Sequence, residues 1–395
     1  MSQTTVGDRP FMFRLKSLVS LAIGFILLLG LTACEPPPRL LAQDRLFLDL
    51  SLEFLGEYQL PKTTFQDTRV GGLSAITYDR QRDRFYALAD DRSNLAPARF
   101  YTLNLQLTSA DTAPVKIDRL EIEDVTFLKD EGGNTYSPNS IDPEGIALSP
   151  RGTVFIASEG SPSKGIDPFL GEFDLKTGQK QLDLSIPQRY LREPDDQTKG
   201  IQENLAFEAL TVSRSGLAAD DPFRLFTATE SALLQDRLED ATAKARIRLL
   251  HYVINPVSSP VAIAEHLYLL DPAALETISN GLTELMALER EGYFLSLERT
   301  FGLTGAGAKI FEVVTGNATD TSRIDSLAGS LGKVRPLNKK LILDLSELGI
   351  YLDNLEAMSL GPRLPDGSQS LLLVSDDNFS EDQITQFLLF RLVEG

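Results

Sequence analysis

Apolar and polar positions alternate along most of this chain in short runs separated by polar, breaker-rich turns, which is the pattern of β-strands. One sentence recurs five times: a small or acidic residue, an apolar run, a polar turn, a second apolar run, then an acid. Its copies run from Gly72-Leu-Ser-Ala-Ile-Thr-Tyr78 to Ala89-Asp-Asp91, from Asp142-Pro-Glu-Gly-Ile-Ala-Leu148 to Ala157-Ser-Glu159, and from Phe207-Glu-Ala-Leu-Thr-Val212 to Thr229-Glu230. The last two run from Thr283-Glu-Leu-Met-Ala-Leu288 to Leu297-Glu-Arg299 and from Asn354-Leu-Glu-Ala-Met-Ser-Leu360 to Ser375-Asp-Asp377. Equivalent positions Ser74, Glu144, Glu208, Glu284 and Glu356 lie 70, 64, 76 and 72 residues apart. That period is too long for one hairpin and suits one small sheet per repeat.

The text between the copies supplies further strands. Arg99–Leu107, Leu170–Leu175, Arg246–Ile254, Ala308–Val314 and Gln386–Val393 read as third strands, and Lys116–Phe127, Lys180–Ile186, Val261–Leu270 and Lys340–Leu345 as fourth strands. The last copy has no fourth strand of its own, and Arg45–Phe54 can supply it by pairing the two ends of the chain, which removes exposed sheet edges. The expected fold is all-β, a single β-propeller of five blades, with the stretch Asp320–Lys340 able to hide a sixth. Helix is expected only locally, at Ser231–Lys244. The polar turns Asp79–Asp83, Ser149–Gly152, Glu289–Gly292 and Pro362–Gly367 fall at one mouth of the channel. The acids and the insertions Asp130–Ser140, Ser161–Asp167 and Arg189–Leu205 fall at the other.

The 395 residues, 42% hydrophobic and 24% charged, suffice for one such domain with a sizeable core. Trp is absent, so Phe and Tyr supply the aromatic packing. A formal charge of −18 argues against nucleic acid or anionic lipid as a partner and favours cations. The N-terminus differs from the rest. Arg9, Arg14 and Lys16 precede the apolar run Leu18–Leu31, a secretory signal design too short for a comfortable membrane span. Leu31-Thr32-Ala33-Cys34 follows at once and resembles the bacterial lipoprotein signal, in which cleavage precedes a cysteine that carries lipid. Residues 1–33 are thus expected to be a signal peptide, 34–44 a lipidated cysteine with a Pro-rich tether, and 45–395 the propeller. An uncleaved anchor helix would leave the domain in the same compartment. Either way the protein is expected to be exported and tethered in the cell envelope facing the periplasm, with delivery to the outer membrane preferred.

Candidate chemistry follows by elimination. Cys34 is the one cysteine, and the two histidines, His251 and His266, sit in outer strands, so a cysteine nucleophile and a His-rich zinc site are disfavoured. Carboxylates remain. In every copy one acid or small residue starts the first strand and another ends the second, places that face each other roughly 5 Å apart in a hairpin. If first strands line the channel, these groups converge and must raise one another's pKa or bind a cation. Calcium, with six to eight oxygen ligands, suits such irregular sites. The expected ligands are Glu144, Glu159, Glu208, Glu230, Glu298, Glu356, Asp376 and Asp91, with Asp90 beside them. The alternative is that these side chains cap strand ends between blades. Arg92 and Arg299, with Lys164 and Arg363 in nearby loops, can hold a phosphate or form ordinary ion pairs.

The sentences Asp142-Pro-Glu-Gly-Ile146, Asn204-Leu-Ala-Phe-Glu-Ala-Leu210, Asn354-Leu-Glu-Ala-Met358 and Leu373-Val-Ser-Asp-Asp-Asn378 resemble the phytase-like, or "esterase-like activity of phytase", family over roughly residues 65–393. The resemblance implies a β-propeller and suggests hydrolysis of phosphoesters or carboxylesters. No Gly-x-Ser-x-Gly elbow exists and neither histidine suits a Ser-His-Asp triad, which leaves the carboxylester version without a nucleophile. Two functions follow as expectations. The first is a calcium-assisted phosphoesterase, anchored through Cys34, in which Arg92 and Arg299 hold phosphate and Glu208 or Glu356 serves as base. The second is a noncatalytic envelope propeller that binds a ligand or protein partner. A closed ring has no edge that demands a partner, so a monomer is expected.

Overall fold

A computed structural model describes residues 1–2 and 46–395, apart from 109–113, 193–195, 217, 241, 273–276 and 304. The signal peptide, Cys34 and the Pro-rich tether lie outside the described residues. Compact packing begins at Phe47 and runs to Gly395.

Strand β1 (Leu50–Leu60) comes first, followed by a small ribbon of β2 (Thr63–Phe65) and β3 (Thr68–Val70). Four-stranded antiparallel blades then succeed one another. Blade 1 holds β4 (Leu73–Asp79), β5 (Arg84–Ala89), β6 (Arg99–Leu107) and β7 (Ile117–Phe127), in that order from the axis outward. Blade 2 holds β8 (Pro143–Leu148), β9 (Thr153–Ser158), β10 (Phe169–Asp174) and β11 (Lys180–Asp183). Blade 3 holds β12 (Phe207–Arg214), β13 (Phe223–Thr229), β14 (Arg246–Asn255) and β15 (Ser258–Leu269). Blade 4 holds β16 (Thr277–Ala287), β17 (Tyr293–Gly302), β18 (Gly305–Val314) and β19 (Asn338–Asp344). Blade 5 holds β20 (Asn354–Arg363), β21 (Gln369–Asp376) and β22 (Thr385–Glu394), and β1 completes it by pairing with β22. The protein is therefore a five-bladed β-propeller closed by its N-terminal strand, as the repeat and the missing strand imply.

The core is divided as a ring demands. Five apolar clusters fill the five gaps between successive blades, including the gap between blades 5 and 1, where Leu73, Phe85 and Tyr101 meet Leu372, Val374 and Phe387. Inner strands β4, β8, β12, β16 and β20 pack side by side around the axis. Gly145 permits that approach, since a Cβ on it would collide with the carbonyl oxygen of Glu208 on the next inner strand. Hydroxyls tie neighbouring inner strands as well: Leu148 N donates to Thr77 Oγ1 at 3.1 Å and Ala287 N to Thr211 Oγ1 at 2.9 Å.

Two local expectations are corrected. Ser231–Lys244 forms no α-helix among its described residues and contains only a 3-10 turn at Leu234–Asp236. Arg248, fully buried, grips the Asp236 carboxylate through Nε at 2.5 Å and Nη2 at 3.0 Å, and that pinning overrides helix propensity. Asp320–Lys340 holds no sixth blade. It runs along blade 3, where Asp320 bridges His266 and Thr321 N donates to Glu265 O at 2.7 Å, before β19 begins.

Closure by β1 depends on its apolar face. Phe54 faces the fully buried Phe390 across the ladder with ring centroids 5.4 Å apart. Phe390→Ala is expected to cost about 3–5 kcal/mol, read as a lower midpoint in urea unfolding with an unchanged slope.

Candidate acidic site at the channel mouth

Each inner strand carries an extra residue at the same point. The pairing register slips between Leu73 and Ala75, Pro143 and Gly145, Phe207 and Leu210, Leu282 and Glu284, and Leu355 and Ala357. Each bulge leaves one strand with a residue that has no direct partner. The bulge positions are Ser74, Glu144, Glu208, Thr283 and Glu356. The residue just beyond each facing second-strand partner is Asp90, Glu159, Glu230, Arg299 or Asp376. These ten places form the mouth. Their backbone is held alike: Asp90 N donates to Gly72 O at 2.6 Å, Glu159 N to Asp142 O at 2.9 Å and Glu230 N to Ala206 O at 2.7 Å.

Seven of the ten are acids, and Asp142 joins them from the start of blade 2. Carboxylate oxygens of Asp90, Asp142 and Glu144 lie within 4.8 Å of one another. Arg92, half-exposed at the rim, donates to Asp142 Oδ1 at 2.6 Å and also to Asn204 Oδ1. Across the mouth Arg299 reaches Glu230 Oε1 at 2.8 Å, Glu356 Oε1 at 3.1 Å and Asn354 Oδ1 at 2.6 Å. Glu159 accepts from Ala206 N, and Asp376 accepts from Asn378 N at 2.7 Å. Gly281 makes room for Glu230, because a Cβ there would overlap its carboxyl group. Three buried polar atoms of the mouth find no hydrogen-bond partner among the described residues: Ser74 Oγ, Glu208 Oε2 and Arg299 Nε. Ser74 is only 4% exposed.

The electrostatics follow from this crowding. Burial pushes the Asp90 carboxyl up to about 7, and Asp142 and Glu356 add to the effect. Burial first and neighbouring carboxylates second hold Glu144, Glu159, Glu208 and Asp376 well above the ordinary carboxylate range. Asp142, Glu230 and Glu356 are also raised by burial, with Arg92 pulling the first down and Arg299 the other two. Such a set of oxygens matches a hard cation with many oxygen ligands.

Other expected residues lie elsewhere, with a clear reason. Strand alternation turns Asp91 and Glu298 away from the ring by one residue each. Asp91 is buried beneath its own loop, where it accepts from Arg99 Nη1 at 2.7 Å and from the amides of Asn94, Leu95 and Ala96. Glu298 faces the gap between the outer parts of blades 3 and 4, accepting from Tyr268 Oη at 2.5 Å, from Asp271 N at 3.1 Å and from Lys339 Nζ. Lys164 donates to Asn139 Oδ1 at 3.1 Å, while Arg363 bonds Gly367 O in a hairpin turn. His251 stacks on Phe226 with centroids 4.2 Å apart, and burial, then Arg224, pushes it down to about 4. His266 Nδ1 approaches Thr319 O at 3.3 Å in β15. Asp142 is the member that sequence reading missed as a ligand. Its signal was present, since Asp142 opens the same Asp-Pro-Glu-Gly sentence that supplies Glu144.

At the opposite mouth the inner strands surround a cavity of about 780 Å3, with Ile146, Leu210 and Met358 on its walls and Arg80 and Arg214 among its polar lining. Glu284 lies between the two mouths. Burial raises its pKa although its carboxyl accepts backbone amides of Leu285, Leu210 and Met358.

The mouth fixes the sign of the pH response. Carboxyls with raised native pKa hold protons that the unfolded chain has lost above about pH 4, so stability falls as pH rises through that window. Asp79 and Asp91 act oppositely. Burial works against them, yet arginine partners and backbone amides hold them below the ordinary range, so their contribution is lost as pH falls below about 4. Thermal melts in chelator are expected to give a higher midpoint at pH 6 than at pH 8. A midpoint that climbs over that interval would contradict the buried acidic mouth.

Solved structures with a similar chain course share little sequence. An endo-arabinase from Bacteroides thetaiotaomicron VPI-5482 is 12% identical with a TM-score of 0.40, covering 82% of this chain and 95% of that one. The catalytic domain of the GH62 α-L-arabinofuranosidase from Coprinopsis cinerea is 11% identical with a TM-score of 0.40, covering 87% and 97%. The Pan2 WD40 domain of Neurospora crassa is 8% identical with a TM-score of 0.31, covering 86% and 95%. No curated protein matches the chain. The family described as Phytase-like, esterase-like activity of phytase, matches residues 68–379, so the inner strands of all five blades and their acidic mouth fall within it: the chain belongs to the phytase-like family.

Proposed function

We propose that this protein is an exported, lipid-anchored phosphoesterase that works with calcium bound at the acidic mouth. The observation that carries the reading is the cluster of Asp90, Asp142 and Glu144 beside a half-exposed Arg92. Calcium held by these three oxygens, with Asp376 close to Asp90 and Glu356 in charge, would polarise a phosphoryl oxygen and acidify a water. Arg92 holds the substrate phosphate, since its guanidinium reaches the rim while Asp142 and Asn204 fix its plane. Glu208 is the base. Its Oε2 is free of other donors, and burial, then neighbouring carboxylates, raise its affinity for a proton. Glu356, tied to Asn354 and Arg299, positions the neighbouring groups.

Anchoring rests on Leu31-Thr32-Ala33-Cys34. Leu50 pairs with Glu394 at the end of β22, so the chain enters the propeller on the face of the hairpin turns. A noncatalytic, ligand-binding propeller is the second reading, favoured by Glu159, whose carboxylate is already engaged by a backbone amide of the next blade.

Calorimetric titration of calcium into the chelator-stripped soluble domain, residues 35–395, separates the two. Saturable binding is expected, weakened at least tenfold by Glu144→Gln and unchanged by Glu298→Gln, whose partners Tyr268, Asp271 and Lys339 lie between the outer strands of blades 3 and 4. Turnover of p-nitrophenyl phosphate or inositol hexakisphosphate should vanish with chelator and fall about 100-fold or more in Glu208→Gln. Tight calcium binding without turnover of any phosphoester would establish the noncatalytic reading.

A further inference from the structure

Four of the five blades end their second strand with an acid at the mouth, and blade 4 ends it with Arg299. The same blade carries Thr283 at its bulge, where blades 2, 3 and 5 carry glutamates. Blade 4 therefore contributes no carboxylate to the ring and one fixed positive charge. That charge is embedded. The Arg299 side chain is 14% exposed, and its two terminal nitrogens reach Glu230, Glu356 and Asn354, residues of blades 3 and 5 on either side. Remove Arg299 and the Glu230 and Glu356 carboxylates, with the Asn354 amide oxygen, lose the cation they share. Three oxygen donors from blades 3 and 5, now gathered on one guanidinium, would then be left for an ion.

We infer that Arg299 is a resident cation occupying the place of a second metal ion, so that the mouth takes one calcium, on the side of blades 1 and 2. This rests on the calcium reading above and narrows it to a one-metal site with a permanent organic counter-ion. Two independent features support a division of the mouth into sectors. The close carboxylate cluster with room for an ion, Asp90, Asp142 and Glu144, belongs to blades 1 and 2 and contains no residue bound to Arg299. Ser74 Oγ, buried and unpartnered at the blade 1 bulge, is a neutral oxygen on that same side. Arg299 is then a positioning residue. Its terminal nitrogens are spent on carboxylates and an amide oxygen, so phosphate recognition falls to Arg92. A guanidinium also cannot be stripped by chelator, so the sector of blades 3 to 5 keeps its charge balance when metal is withdrawn, while that of blades 1 and 2 does not.

Counting bound calcium by equilibrium dialysis tests this directly, with wild type, Arg299→Lys and Arg299→Gln compared. One ion per chain is expected in wild type and in Arg299→Lys, which keeps the charge, and two in Arg299→Gln. If Arg299→Gln is unfolded in chelator, recovery of its near-ultraviolet circular dichroism in excess calcium is the expected sign that an ion replaces the guanidinium. Failure to recover overturns the inference. Two ions in wild type, or one in a folded Arg299→Gln, also overturns it while leaving the calcium reading standing. No ion in wild type overturns both.

Discussion

The mouth exists because each inner strand is one residue too long for its partner. In an ordinary antiparallel hairpin successive side chains alternate between faces, and an acid at the strand start would face its neighbour on one side of the blade. A bulge breaks that alternation once, locally, and re-aims a side chain. Repeated at Ser74, Glu144, Glu208, Thr283 and Glu356, it brings groups from five separate sheets to one place while the ladders below the bulge continue in register in blades 1 to 4. Propeller closure makes this possible. Blades 5 and 1 meet through their inner parts, where β20 and β21 pack against β4, and Asp376 there comes near Asp90.

Concentrating carboxyls in a buried place costs stability, and the chain offsets the cost in three physical ways. Protons are retained, as the upward shift at Asp90 shows. Backbone amides are directed at single oxygens, as at Glu159 and Asp376. Arginines are inserted, Arg92 at the rim and Arg299 within. None of the three satisfies Glu208 Oε2 or Ser74 Oγ. An arrangement serving stability alone would pair or remove such groups, because unpaired buried polar atoms are destabilising. The residual imbalance on the blade 1 and blade 2 side is what gives a cation something to gain there.

Much of this was legible in the sequence, and the errors have one source. The five-fold sentence located every blade, because apolar alternation and turn residues survive in each copy. The closing strand followed from a missing fourth strand, and it lies a few residues later than expected, at Leu50–Leu60. Sequence reading named both Asp90 and Asp91 as ligands where the ring takes Asp90, gave Glu298 a ligand's place where the ring has Arg299, and aligned Glu284 with Glu208 where the bulge position is Thr283. Each slip is a single residue. Acids stand side by side at Asp90-Asp91 and next to a basic residue at Glu298-Arg299, and no composition rule says which of two neighbours faces inward. Long-range packing decides it: Arg99 claims Asp91, and Lys339 with Tyr268 claims Glu298. The same blindness explains Ser231–Lys244, whose helix-forming residues give way to the hold of Arg248 on Asp236.

Glu284 shows how far one residue of register reaches. It follows the blade 4 bulge, whereas Glu208 occupies the blade 3 bulge, and the two have opposite lives. Glu208 keeps an oxygen free at the mouth. The Glu284 carboxyl instead turns into the channel and accepts amides from its own strand and from both neighbouring inner strands, through Leu285, Leu210 and Met358. Such a carboxyl joins three blades at the axis, and it stands between the acids on one side and the largely apolar cavity on the other. Because the fourth copy spends its glutamate on this tie, it has none for the ring, and the ring position falls to Thr283. The absence of an acid there is also what lets a guanidinium lie in that sector without displacing another charge. The cross-channel tie at Glu284 and the internal cation at Arg299 are thus two consequences of the same displaced residue in blade 4.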